Sequence, residues 1–108
     1  MQPDLFQELR WQQDAEGNRM WFDLDGALHR EMGPAHVMAN GDHYWLWHGL
    51  LHRTDGPAVE LADGHQEWWV HGQRHREDGP AIVCADGFQS WYLKNNRISE
   101  QQFKRMTW

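Results

Sequence analysis

Histidines are the residues of this chain best suited to chemistry, and three of them recur at a fixed spacing. His29, His52 and His75 follow one another at intervals of 23 residues. Imidazole nitrogens bind zinc, and histidine changes its charge near neutral pH, so the spacing raises the hypotheses of a metal site and of a pH sensor. Protonation of all 8 histidines would move the formal charge from −6 to positive.

Strand geometry argues against a shared metal ion. Equivalent residues on successive hairpins lie two strands apart, or about 9–10 Å at ~4.8 Å per strand, whereas zinc ligands lie ~2 Å from the ion. The spacing instead predicts two facing pairs across tight turns, His48 with His52 and His71 with His75, and two ligands do not close a zinc site. We therefore expect neither a metal nor another cofactor, and we interpret the histidines as part of the hairpin construction.

A 23-residue repeat organises the whole chain into a single domain. Each copy contains His-Arg, then Gly-Pro-Ala, then a turn pair, then an aromatic pair. The predicted parts are an N-terminal cap segment (1–15), a half repeat (16–25), three repeats (26–48, 49–71 and 72–94) and a C-terminal cap helix (95–108).

The turn and strand signals predict a mainly β fold, an antiparallel meander of repeated β-hairpins with short terminal helices. The turn pairs are typical of two-residue hairpin turns in which both residues adopt positive φ; they are Asn40-Gly41, Asp63-Gly64 and Asp86-Gly87. Gly-Pro in each copy predicts a bulge or corner. A helical turn is expected over residues 3–9, and Ser99 with Gln102 fits a capping box for the second helix.

Side-chain alternation along the strands separates two sets of aromatic residues. Trp45, Trp68 and Trp91 are interpreted as core residues. The opposite side is the better candidate for a presented surface, because exposed aromatic residues among charged ones mark protein interfaces. The candidate partner-binding residues are Leu46, Trp69, Tyr92, Trp47 and His36.

The polar residues before each Gly-Pro are expected to hold the loops in place. Arg53 can pair with Asp55, and Arg76 with Asp78. The predicted loop-structuring residues are His52, Arg53, Asp55, His75, Arg76 and Asp78. The first copy departs from the pattern, because Met32 replaces the aspartate and His36 replaces an aliphatic residue.

Several function classes are disfavoured by composition. The formal charge of −6 counts against direct nucleic-acid binding. Ser90 and Ser99 are the two serines, neither lies in a nucleophile elbow, and the glycines follow the structural period, so no enzymatic activity is expected. Cys84 is the single cysteine. No stretch approaches the ~20 apolar residues that span a bilayer, so we expect no membrane association and a cytoplasmic location.

The repeat resembles MORN repeats, in particular the divergent branch found in bacterial antitoxin-like proteins. The His-Arg-x-Asp-Gly-Pro-Ala core at 52–58 and 75–81 also resembles a repeat of uncharacterised tailed-phage proteins. The resemblance implies a protein-binding module, with a phage accessory protein that inhibits a host protein (anti-defence or anti-CRISPR-like) as the first hypothesis. An antitoxin for a cognate toxin is the second, and a metal- or carbohydrate-binding protein the third. Homodimerisation is one way to protect the open sheet.

Overall fold

The computed structural model describes residues 10–107, and the chain over this range is mainly β with one short helix at its C-terminal end. All strand pairs are antiparallel, as the sequence predicts. The helix expected over residues 3–9 lies outside the described residues. The strands are β1 (Trp11–Gln13), β2 (Arg19–Trp21), β3 (His36–Val37), β4 (His43–Tyr44), β5 (Leu46–Trp47), β6 (Leu50–Leu51), β7 (Val59–Glu60), β8 (Gln66–Glu67), β9 (Trp69–Val70), β10 (Gln73–Arg74), β11 (Ile82–Val83), β12 (Gln89–Leu93) and β13 (Asn96–Ile98), and the helix is α1 (Glu100–Thr107).

The strands form a meander in which each new hairpin extends the sheet. Nine strands pair in the order β1-β2-β3-β4-β7-β8-β11-β12-β13, and the ladders β5-β6 and β9-β10 continue two of the hairpins. The result is a flat molecule with extents of 48 × 30 × 17 Å. Two packed sheets lie about 10 Å apart before their outer loops are counted. The smallest extent, 17 Å, is therefore close to the thickness of one sheet with its loops.

The Asn-Gly and Asp-Gly pairs form three-residue turns, and the two-residue prediction is wrong. In the first of them Met38 N–H donates to Asp42 O at 2.8 Å, and Gly41 N–H donates to Met38 O at 3.0 Å. Gly41 alone has a positive φ, 101°, while the Asn40 side chain accepts the Asp42 N–H. A type I turn followed by a left-handed glycine has this geometry, and the Asx side chain stabilises it.

Two-residue turns occur instead one hairpin further along, at Gly49, Gly72 and Asn95. Both central residues have positive φ in His48-Gly49 (47° and 84°), His71-Gly72 (48° and 79°) and Lys94-Asn95 (48° and 70°). Two consecutive left-handed residues define a type I′ turn, which matches the twist of the flanking strands. Non-glycine residues at such positions are strained unless other contacts support them.

The sheet presents two different faces, which follow from the strand register because directly paired residues share a face. The flat face contains Met20, His36, Tyr44, Val59, Glu67, Ile82 and Ser90. The loop face contains Trp21, Trp45, Trp68 and Trp91, each one residue further along the chain than a flat-face residue.

Arginines cover the tryptophans of the loop face. The guanidinium of Arg53 lies 3.9 Å from the ring centre of Trp45, and Arg76 lies 3.8 Å from that of Trp68. The first loop repeats the contact with Arg30 over Trp21, at 3.9 Å. Trp45 and Trp68, under these arginines, and Trp91 are half-buried rather than fully buried core residues, and full burial is reached by Ala35, Ala58 and Ala81.

Each Gly-Pro segment provides space for the arginine and then a bulge. A Cβ on Gly56 would lie 3.0 Å from the Arg53 Cζ, and one on Gly79 would lie 2.8 Å from the Arg76 Cζ. After the proline, Ala81 N–H donates to Ser90 O although Ile82 is the residue paired with Ser90. Two residues then oppose one, which is the predicted bulge.

The C-terminal helix has the predicted capping box. Gln102 N–H donates to Ser99 Oγ at 3.0 Å, and Ser99 N–H donates to Gln102 Oε1 at 2.9 Å. Phe103 is buried. The helix begins at Glu100, so the expectation of a helical segment from residue 95 is wrong at its start, because Asn96–Ile98 pairs with β12 as strand β13.

Substitution of Gly56 by alanine should destabilise the fold by about 1–3 kcal/mol, because the added Cβ displaces the Arg53 guanidinium from Trp45. Urea unfolding measures the loss. In an Arg53→Ala background the same Gly56→Ala change should cost much less, because the colliding group is gone. An equal cost in both backgrounds would contradict the proposed role of this glycine.

Candidate functional site: the loop face and its grooves

The second and third loops on the loop face are held by the two ion pairs expected from the sequence. Arg53 Nε donates to Asp55 Oδ1 and Arg76 Nε to Asp78 Oδ1, both at 2.9 Å. The hydrogen bond and charge of Arg53 hold the pKa of Asp55 below its usual value. Each arginine also donates through Nη1 to a carbonyl after the glycine, Pro57 O for Arg53. Local pairs two residues apart thus close each loop around its guanidinium.

His29, His52 and His75 support the strained turns at the end of their own repeats. Their Nδ1 atoms accept backbone N–H bonds from His48 (2.9 Å), His71 (3.0 Å) and Lys94 (2.9 Å), which are the residues with positive φ. An Nδ1 that accepts an N–H bond cannot carry a proton. The neutral Nε2–H form is therefore the one that fits this position.

The histidine pairs differ from the prediction. His29 stacks on His48 with ring centres 4.1 Å apart, and His52 stacks on His71 at 4.3 Å. The expected partners, His48 with His52 and His71 with His75, are not the stacked ones, because each imidazole reaches the turn that closes its own repeat. Within residues 10–107, no group of three or more His, Cys, Asp or Glu residues could hold a metal ion.

A buried carboxylate that sequence reasoning missed distinguishes the first repeat. Asp23 is 5% exposed, and its Oδ2 lies 2.7 Å from the Nδ1 of His48. Its Oδ1 accepts two backbone N–H bonds, from Asp25 and Ala27. These hydrogen bonds, above all that of His48, lower the pKa of Asp23 despite burial. With Asp23 ionised, His48 donates through Nδ1.

A sequence signal for this pair exists in hindsight. Asp23 lies two residues after Trp21. The residues at the same distance after the later loop-face tryptophans are Trp47, Val70 and Leu93. A charged residue at a position that is apolar in every other copy marks a local departure from the repeat.

The five predicted partner-binding residues are divided between the two faces. Trp47 lies on the loop face, where its ring packs edge-on against His29 at 4.5 Å. The other four share the flat face and are half-buried. They are His36, Leu46, Trp69 and Tyr92.

A polar cluster on the flat face was also missed. Glu67 accepts hydrogen bonds from His65 Nε2 at 2.7 Å and from Trp69 Nε1 at 2.8 Å, and Arg74 Nε lies 3.8 Å away. Burial raises the pKa of Glu67, but these hydrogen bonds and the charge of Arg74 lower it overall. The Arg74 guanidinium also lies over the rings of Trp69 and Tyr92, at 4.8 and 5.5 Å.

Open grooves separate successive loops on the loop face. The first, of about 510 Å³, runs between the first two loops and is lined by Met32, Trp45, Trp47, His52 and Thr54 among others. The next, of about 730 Å³, has Trp68 and Val70 at equivalent positions. The third, of about 820 Å³, lies at the end of the array, where Met106 of α1 takes part. The first groove is distinctive because Met32 (82%) and Trp47 (39%) are exposed there.

No family model, curated protein or solved structure matches the chain. The residues and geometry of the loop face are therefore the basis for assigning a function. Across residues 10–107, no helix is long and apolar enough to cross a membrane.

The contribution of His52 to stability should decrease as the pH falls from about 7.5 to 5. Burial and the charge of His71 lower the pKa of His52 from 6.5. His52 therefore binds a proton at higher pH in the unfolded chain than in the folded chain. Its contribution to stability is complete above its pKa in the unfolded chain, and is lost as the pH drops through its pKa in the folded chain. Urea unfolding of wild type and His52→Asn, whose amide oxygen keeps an acceptor near Nδ1, should show a shallower pH slope in the variant. Identical slopes would contradict the assignment.

The hydrogen bonds also predict the imidazole tautomers. Correlation of ¹⁵N and ¹H shifts above the histidine pKa values should show Nε2–H forms for His29, His52 and His75, and the Nδ1–H form for His48. His71 is the reference, because it holds the same position in the next turn. The residue beside that turn that corresponds to Asp23 is Trp47, which is not a carboxylate. An Nε2–H form for His48 would show that Asp23 does not orient the ring.

Proposed function

We propose that the chain is a non-enzymatic protein-binding module, and that the loop face is its binding surface. The observation that carries the proposal is the first groove, which is lined by the exposed side chains of Met32 and Trp47 together with charged loop residues. Tryptophan, methionine and arginine are enriched at protein interfaces, and aromatic residues at the centre of a groove supply much of the binding energy.

The construction of the groove supports binding by a rigid surface. Trp47 contacts His29 and lies near His52, and both imidazoles are fixed by backbone hydrogen bonds. One wall of the groove is a loop closed by the Arg53–Asp55 pair. A preorganised surface loses little conformational entropy on binding, so its exposed apolar groups contribute more of their contact energy to affinity.

Charge supports a basic partner. The loop carboxylates of Asp55, Glu77 and Asp78 are 80–87% exposed, whereas the arginine side chains beneath them are turned toward the tryptophans. The whole chain carries a formal charge of −6. An acidic surface attracts and orients a positively charged protein, including one whose basic surface normally binds nucleic acid.

The resemblance of the repeat to those of tailed-phage proteins supports a more specific role. We infer an accessory protein of a phage that binds a host protein and blocks its surface, with anti-defence or anti-CRISPR-like inhibition as one instance. Inhibition by occlusion needs a rigid, complementary surface and no catalytic group.

Two substitutions that copy the later repeats test the proposal. Met32→Asp introduces the residue found at positions 55 and 78, and Trp47→Val introduces the residue found at position 70. Because both residues occur naturally at these places in the fold, the double variant should stay folded. A partner captured from lysate with the wild type, identified and purified, should bind the variant roughly 30-fold more weakly, the equivalent of about 2 kcal/mol.

A third substitution provides the matched control. Phe88 is exposed at a turn distant from the loops, and Phe88→His introduces the residue found in the second repeat at position 65. This variant should bind as well as the wild type. Unchanged binding by the Met32→Asp/Trp47→Val variant would exclude the first groove. Thermal stabilisation by zinc or by an oligosaccharide, with no protein partner retained, would favour a ligand-binding role instead. A secreted or plasmid-borne toxin as the retained protein would favour the role of an antitoxin.

A further inference from the structure

The first groove contains an exposed aromatic ring that no cation covers. The ring centre of Trp47 lies 4.5 Å from that of His29 and 6.3 Å from that of His52, so imidazoles hold it in place. Within residues 10–107, the rings that have an arginine over them are those of Trp21, Trp45, Trp68, Trp69 and Tyr92. The loop face therefore stacks arginines on three of its tryptophans and leaves Trp47 without one.

The groove presents negative charge and apolar surface to solvent. The exposed residues of its lining are Glu31, Met32, Trp47, Thr54 and Asp55. The side chains of Glu31 and Asp55 are 48% and 83% exposed, against 21% for Arg53. Arg30 is half-buried as well, and the guanidinium groups of both arginines lie over other rings. A ligand that enters the groove thus meets carboxylates, a thioether and an indole before it meets a cation.

The carboxylates of the groove are not neutralised by the arginines around it. The ion-pair contact of Glu31 within residues 10–107 is with His29 Nε2 at 3.6 Å, and the neutral form of that imidazole is the one that fits its turn. The Arg53 guanidinium is shared between Asp55 and Glu60, at 2.9 and 2.6 Å. Negative charge is therefore left over for a cation from outside the chain.

We propose that the first groove binds an arginine side chain of the partner protein, with the guanidinium on the Trp47 ring and the carboxylates of the groove as its counter-charges. This inference rests on the proposed function, because it names the group that the partner inserts. A guanidinium is planar, stacks on indole and donates to carboxylates in a fixed fork, while its aliphatic stem packs on apolar groups such as Met32. The second loop already combines the same contacts, with Arg53 over Trp45 and bonded to Asp55.

The second groove has the charge without the exposed ring. Val70 stands where the first groove has Trp47. The exposed residues of its lining are Thr54, Asp55, Glu77 and Asp78. A basic group attracted by charge alone has no reason to prefer the first groove, whereas one that stacks on an aromatic ring does.

A peptide titration of the full chain tests the proposal without the partner. A blocked Gly-Arg-Gly peptide, followed by ¹H–¹⁵N NMR into the millimolar range, should shift the indole N–H signal of Trp47, which the Trp47→Val variant identifies. The citrulline peptide has nearly the same shape without the charge, and the lysine peptide has the charge without the planar fork. Both should bind roughly fivefold more weakly. Absence of a Trp47 shift, or equal binding of either control peptide, would overturn the proposal.

Two glutamates at equivalent positions of the first and third repeats provide matched variants. Glu31 and Glu77 each lie next to the Nε2 atom of the histidine two residues before them. Glu31→Gln should weaken binding of the arginine peptide roughly threefold, because it removes one counter-charge, and Glu77→Gln should leave it unchanged. An equal effect of the two substitutions would show attraction by overall charge and would overturn the proposal.

The peptide result and the partner result can fail separately. If the partner loses affinity for Met32→Asp/Trp47→Val while the arginine and citrulline peptides bind the wild type alike, the proposed function stands and the arginine site is wrong. If the partner binds that variant normally while the arginine peptide binds only the wild type, the arginine site stands and the groove's proposed role in partner binding is wrong.

Discussion

The packing of an arginine on a tryptophan ring recurs at three of the four loop-face tryptophans, and the shape of all three His-Arg loops depends on it. A single sheet has no opposing layer to bury its aromatic side chains, so the His-Arg loop folds back and places its guanidinium on the ring. A cation over an aromatic face is attracted by about 0.5–2 kcal/mol, and the loop gains a fixed shape from the same contact. Glycine is needed where the guanidinium passes the backbone. Alanine, glycine, arginine and tryptophan therefore form one structural unit, which explains why they recur together.

The meander could be predicted from the sequence because the features that specify it are local and periodic. Gly-Pro-Ala, the turn pairs and the aromatic pairs each act within a few residues, and their 23-residue spacing places them in one architecture. The Arg53–Asp55 pair was predictable for the same reason, since its partners are two residues apart. The turn types were not. The Asn40 side chain stabilises a type I turn, and the left-handed conformation of His48 depends on an acceptor 19 residues away.

Prediction of the candidate site was limited by pairs distant in sequence. Asp23 and His48 are 25 residues apart, and neither residue alone indicates the other. The five candidate binding residues were chosen as one set, yet Trp47 and Leu46 lie on opposite faces because adjacent residues of a strand alternate. The useful signals were departures from the repeat. Met32, Asp23 and Trp47 all break the pattern, and all three lie at or beside the first groove or its neighbouring turn.

The hydrogen bond from each repeat's first histidine to its closing turn has a consequence for how the array can change in length. Because this bond joins two positions of the same copy, each unit carries its own means of closure. Duplication or deletion of one complete copy preserves every such bond, whereas a partial insertion separates a histidine from its turn. Arrays of this type are therefore expected to grow and shrink in whole units.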